Sequence, residues 1–164
     1  MLLLGFYFLL ITLGVDKKIS VIGAIAFGFS TFFIISLGVG HNSKLRSIGY
    51  IAPIIAGVLM TYKGKKLLGG AITAFTLALA INANHFQITY YLFLLLLVLA
   101  SVYLFQAIQK KNTKDFFISS SILLLSALLS VGPNVSKLWT TYSYSGETMR
   151  GGKSELTVHK EKSK

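Results

Sequence analysis

The sequence predicts an all-α, polytopic integral membrane protein with about six transmembrane helices. Three observations predict it. The 164 residues are 54% hydrophobic with a mean hydropathy of +0.69. Only 13% are charged, against roughly a quarter in a soluble domain. The apolar residues stand in blocks separated by short polar runs, and runs such as LFLLLLVLA do not alternate as a membrane β-strand must.

Six blocks follow in order: Leu2–Val15, Ile19–Val39, Ile48–Tyr62, Leu67–Ile81, Ile88–Ile108 and Phe116–Val131. The second and fifth reach about 21 residues, enough for a bilayer core that needs roughly 20. The other four are nearer 15, so flanking polar residues must extend them, with Lys and Arg snorkelling outward. The first block has no upstream residues to borrow. It is a poor span, or the chain is cut from a longer one. The bundle is therefore expected over residues 1–131, followed by an outer tail over 132–164.

The loops set the expected sidedness. DKK (16–18), KGKK (63–66) and KKNTK (110–114) carry eight Lys. GHNSKLR (40–46) and NANHFQ (82–87) carry one Lys and one Arg. Basic residues favour the cytoplasmic side, which puts the N-terminus, both His-containing loops and the C-terminal tail outside. The net charge of +11 is thereby explained by topology, and nucleic acid is not expected as a partner. The chain has no cysteine, which excludes disulfides and thiolate chemistry. MLLLGFYFLLITLGV has no basic leader and no cleavage site, so it is a poor signal peptide.

In lipid, helices associate through close packing and hydrogen bonds. Gly70, Ala74, Ala78 and Asn82 predict a smooth face on the fourth span. Ser119, Ser126 and Ser130 predict one on the last, and Ala24 and Gly28 one on the second. The fifth span is a leucine wall suited to lipid. Pro53 falls inside the third span and predicts a bend. Tyr50, Phe86, Tyr90, Tyr91, Trp139, Tyr142 and Tyr144 predict an interfacial belt.

The candidate site is the expected outer face. There GHNSK (40–44), NANHFQITYY (82–91) and TTYSYSGETMRGGKSELT (140–157) converge. They offer His41, Asn42, Lys44, Asn82, Asn84, His85, Gln87, Tyr90, Glu147 and Arg150. Such groups suit a ligand rich in hydroxyls or bearing a phosphate, which Lys44 or Arg150 would neutralise. Asn84 and His85 suit helix capping equally well. No metal is expected, because no carboxylate has ligand spacing to His41 or His85. Asn134-Val135-Ser136 matches a glycosylation sequon but hugs the membrane. None of the five carboxylates lies inside a span, where a proton-coupled transporter would want one.

GHNSKLRSIGYIAPIIAGVL, INANHFQITYYLFLLLLVLA and TTYSYSGETMRGGKSELT, in that order, resemble the YfhO family of bacterial membrane proteins. The resemblance covers nearly the whole chain. It implies an internal fragment of a larger, multi-pass plasma-membrane protein similar to GT-C glycosyltransferases. The tail would lead into an extracytoplasmic domain. Such proteins take a sugar from a polyprenyl-phosphate carrier and transfer it to a cell-envelope polymer. The implied partners are membrane lipid, a lipid-linked sugar and the remainder of the parent chain. His41, Asn42, Lys44, Asn84, His85, Gln87 and Tyr90 would lie near the site. The family generally carries an acidic base in an early outer loop. None stands here, so the base would lie upstream of Met1. A transporter or flippase, and a non-catalytic assembly subunit, are the alternative expectations.

Overall fold

A computed structural model of the chain describes residues 1–145, and every regular element in that range is helical. The helices are α1 (Leu2–Leu13), α2 (Lys17–Gly28), α3 (Thr31–Gly38), α4 (Asn42–Tyr62), α5 (Lys66–Asn82), α6 (Phe86–Gln109), α7 (Thr113–Val131) and α8 (Val135–Ser145), with a single 3₁₀ turn before α8. All six expected blocks are helices.

Four helical segments are long and apolar enough to cross a membrane: 17–38, 42–62, 86–109 and 113–144. The other two are shorter. At 1.5 Å per residue, α1 is about 18 Å long and α5 about 26 Å, against a hydrocarbon core of about 30 Å.

Local chemistry sets the ends. Gly14 closes α1 with φ at 91°, a left-handed conformation that glycine takes without a Cβ penalty. Asp16 then caps α2, its carboxylate accepting from the Lys18 N–H at 2.9 Å and the Ile19 N–H at 3.4 Å. Gly64, with φ at 98°, reverses the chain between α4 and α5.

The second block departs from the continuous helix expected over 19–39. It breaks at Phe29–Ser30 into α2 and α3, with Ser30 extended at φ −60° and ψ 145°. The Ser30 N–H turns back to the Phe27 carbonyl at 3.2 Å, tightening the last turn of α2. Gly28, Ser30 and Thr31 are weak helix formers clustered within four residues, and that lowers the cost of a break there.

The interior mixes apolar and small polar residues, and the exterior is greasy. Phe33, Leu45, Ile54, Leu59, Met60 and Leu92 are buried together with Ser20, Ser47, Thr61, Thr73, Thr76, Ser119, Ser126, Ser130 and Asn134, whereas Leu67, Phe75, Leu124 and Leu128 are more than 60% exposed. So many exposed large apolar side chains are unusual on a soluble fold.

Small residues make the seams. Between α4 and α5, a Cβ placed on Gly69 would lie 2.5 Å from the Gly57 carbonyl oxygen. Thr61 and Thr73 flank this contact and bond backward to the Gly57 and Gly69 carbonyls at 2.9 and 2.8 Å. The seam therefore contains hydroxyls without unpaired donors. Between α5 and α7, Ser126 donates to the Gly70 carbonyl at 2.9 Å. The buried residues of α7 are Ser119, Ser126 and Ser130, the face expected from sequence. Ala24 is buried in α2, and Gly28 meets Leu3 of α1. On α6 only Leu92 is buried, in keeping with a leucine wall.

Pro53 is buried and α4 runs helical through it. Its ring packs on Gly5 of α1, where a Cβ would come within 2.7 Å of the proline Cδ and 3.1 Å of the Gly49 carbonyl. That carbonyl is the one proline leaves without its usual helical donor.

The lysine-rich loops gather at one end of the bundle. Lys63 donates to the Thr12 carbonyl at the end of α1, and Lys66 pairs with Asp115 at the start of α7. The amides gather at the other end, where Asn82 donates to Asn134 at 3.4 Å.

Candidate functional site

A cleft of about 660 Å³ opens at the amide end. Its floor is the start of α1 at Met1, Leu2 and Leu3. One wall is the α2–α3 break with Phe29, Phe33, Ile34 and Leu37. Opposite stand the first turns of α4 and the last of α5, with Asn42, Leu45, Arg46, Tyr50, Leu79 and Asn82. A Cβ on Gly49 would contact Met1 and Leu2, which sets residues 1 and 2 against the second turn of α4. The volume is that of a small-molecule site.

The lining divides by chemistry. Phe33 and Leu45 are buried, and Phe29, Ile34 and Leu37 give the cleft an exposed apolar side. Two amides and one guanidinium, all exposed, stand among them. Asn42 and Arg46 are four residues apart and so share a face of α4. Asn82 ends α5, and the Lys137 ammonium donates to its backbone carbonyl. Its side-chain amide is steadied by Asn134, which donates to the Ala78 carbonyl at 2.9 Å and the Ser130 carbonyl at 3.0 Å.

Of the residues expected at the site, Asn42 lines the cleft, and Asn82 from the same outer cluster joins it. The others stand elsewhere at this end or outside the described range. His41 precedes α4 at its N-cap position without a side-chain capping bond. Lys44 lies over the Phe32 ring, its ammonium 5.2 Å from the centroid, a cation–π contact that turns it from the cleft. Asn84 takes a left-handed turn at φ 56°. His85 precedes α6 without capping it, and its Nδ1 is buried without a hydrogen-bond partner. Gln87 donates to the Tyr91 hydroxyl at 3.1 Å, and Tyr90 is exposed beside Tyr91. Glu147 and Arg150 lie outside the described residues.

The loops at 40–46 and 82–87 thus meet at Asn42 and Asn82. The start of α6 presents His85, Gln87 and Tyr90 separately. Two polar cleft residues are not among the expected ligand contacts. Arg46 reads from the sequence as a loop charge, although its i+4 spacing from Asn42 marks the shared face. Tyr50 reads as part of the aromatic belt, yet it is one further turn along. Asn134 reads as a sequon. It is 2% exposed and fully engaged in joining α5 to α7, and spacing gave no sign of that.

Among the described residues no group of three His, Cys, Asp or Glu is placed to hold a metal ion. The two carboxylates in that range are Asp16 and Asp115. Asp16 caps α2 and Asp115 pairs with Lys66, both at the lysine end. Comparison with protein-family models, with curated proteins and with solved structures gives no match for this chain.

Proposed function

We propose that the chain is a membrane-embedded helical unit of about six spans. In this reading the amide end faces outward, and the cleft there binds the phosphate end of a lipid-linked sugar. The apolar exterior supports the membrane reading: leucine, isoleucine and phenylalanine are exposed along 17–38, 86–109 and 113–144, three of the four helical segments long enough to cross. α1 and α5, shorter than the core, cross by snorkelling of Lys17, Lys63, Lys65 and Lys66 or by local thinning of the bilayer. The charge asymmetry of the loops supports the sidedness, with the lysine end in the cytoplasm of a bacterium.

The observation that carries the ligand is the division of the cleft. An apolar trough receives a hydrocarbon chain, Arg46 offers a bidentate fork to a phosphate, and Asn42 and Asn82 offer amides to hydroxyls. This agrees with the resemblance to polyprenyl-phosphate-dependent glycosyltransferases. Transfer of the sugar to a cell-envelope polymer requires a base, and both described carboxylates stand at the opposite end. In this reading the chain binds the donor, and the remainder of a parent chain supplies the base.

Binding of a polyprenyl-phosphate-linked sugar to the purified chain in detergent tests this. Arg46→Ala should weaken binding about tenfold or more, since a hydrogen bond to a charged group contributes about 1.5–3 kcal/mol. Lys65→Ala, at the opposite end, should leave it unchanged. Equal binding by wild type and Arg46→Ala would refute the assignment.

One observation favours a second reading, a transporter or flippase. The break at Phe29–Ser30 interrupts a helical segment near its middle and lines the cleft, as discontinuous helices do in transporters. Flux of labelled lipid across vesicles containing the chain separates the two: a flippase moves it, and a donor-binding unit does not.

A further inference from the structure

A second cleft, of about 420 Å³, lies between α6 and the α4–α5–α7 core. Its lining is leucine, isoleucine, valine, phenylalanine and alanine, with five hydroxyl side chains. All five hydroxyls are already bonded. Tyr62 and Ser120 bond each other at 3.1 Å. Thr73 donates to the Gly69 carbonyl, Thr89 to the His85 carbonyl and Ser130 to the Ala127 carbonyl. One donor, from the Tyr62–Ser120 pair at the lysine end, is all that remains for a polar ligand, so the cleft suits hydrocarbon. The cleft at the amide rim is different in this respect.

Its dimensions specify which hydrocarbon. Along α7 it runs from Ser120 to Val131, about 16 Å at helical rise. One leaflet of a bilayer core is about 15 Å deep. The outer end lies at Ile81, Thr89 and Val131. One residue beyond Ile81, the exposed Lys137 ammonium donates to the Asn82 carbonyl. An ammonium has three donors, so others remain for a phosphate at that level.

We infer that this cleft holds one acyl chain of a phospholipid of the leaflet at the amide end, its phosphate met by Lys137. The site is separate from the one proposed above for the sugar carrier, and it rests only on the membrane reading. The lipid fills the space between α6 and the core, and so fixes a helix whose own buried surface is small.

The test uses the full chain, stripped of lipid in detergent, offered phosphatidylglycerol and examined by native mass spectrometry. Wild type should retain one tightly held lipid. Ala127→Phe fills the cleft from α7 and should lose it. Ala100→Phe fills it from α6 and should do the same, which keeps the test open if the first variant misfolds. Leu128→Phe places the same ring on the exposed side of α7 and should retain the lipid. Lys137→Ala should lose it at lower detergent concentration than wild type. Equal retention by both cleft-filling variants overturns the inference, as does equal loss by Leu128→Phe. So does a wild-type spectrum of lipid-free dimer that both cleft-filling variants convert to monomer, which would make a second copy the occupant. Alkaline carbonate extraction separates the failures. Release of the chain from membranes overturns the membrane reading as well, whereas a chain that stays membrane-bound while the cleft-filling variants keep their lipid overturns the cleft alone.

Discussion

Gly57 and Gly69 face each other across the α4–α5 seam so closely that neither can carry a side chain. A Cβ on Gly57 would lie 2.9 Å from the Gly69 carbonyl oxygen, and one on Gly69 would lie 2.5 Å from the Gly57 carbonyl oxygen. Both obstacles are backbone, so a larger residue must push the helices apart. In lipid the seam depends on close contact, because hydrocarbon tails are as apolar as leucine.

Gly69→Val should therefore destabilise the bundle by about 1–3 kcal/mol, the range for overpacking a tight contact. Gly38→Val, at a position with no neighbour within 4 Å, should cost less. Unfolding by denaturing detergent, followed by circular dichroism, measures the difference. Equal midpoints would refute the seam.

Asn134 is the second structural expectation. It is buried, donates to two carbonyls on α5 and α7, and accepts from Asn82. Asn134→Ala should cost about 1–3 kcal/mol. Asn134→Asp keeps the size but sets a carboxylate against two carbonyl oxygens, and should cost more. The same unfolding assay ranks them, and a neutral Asp variant would show that the amide does not join the two helices.

Tyr62 holds α6. Its ring stacks on Tyr103 of α6 at 4.4 Å and on Phe116 of α7 at 5.6 Å, while its hydroxyl reaches Ser120. Tyr62→Ala should speed amide hydrogen exchange along α6 more than along α4 or α5. Tyr62→Phe keeps the stack and should have a smaller effect. Uniform acceleration in all three helices would mean a global loss of stability in place of a local anchor.

Sidedness has a direct measurement, helped by the absence of native cysteine. Ser43→Cys and Asn84→Cys should react with a membrane-impermeant maleimide added to intact cells. Asn112→Cys should react only after the membrane is opened. The opposite pattern would place the lysine end outside and remove the basis for an outer-face ligand.

The Lys66–Asp115 pair shows what a visible ion pair does not guarantee. The side chains are 24% and 43% exposed, and pairs of that kind contribute about 0–1 kcal/mol. Asp115→Asn should leave the unfolding midpoint nearly unchanged.

The sequence by itself determined the helices, because apolar runs in lipid must satisfy their own backbone bonds and a helix does so locally. It also determined that Ser119, Ser126 and Ser130 share the packed face of α7, since helical spacing fixes which side chains align. The segregation of lysines from amides was legible for the same reason: it alternates along the chain with the loops. Helical spacing puts Arg46, and not Lys44, on the face of Asn42, but only the tertiary structure made that face line a cleft. Both sit at the start of α4, and the Phe32 ring that engages Lys44 comes from α3. It alone set Gly57 against Gly69 and Asn134 between α5 and α7. Those contacts depend on which helices are neighbours and how deep each lies, and no local pattern records either.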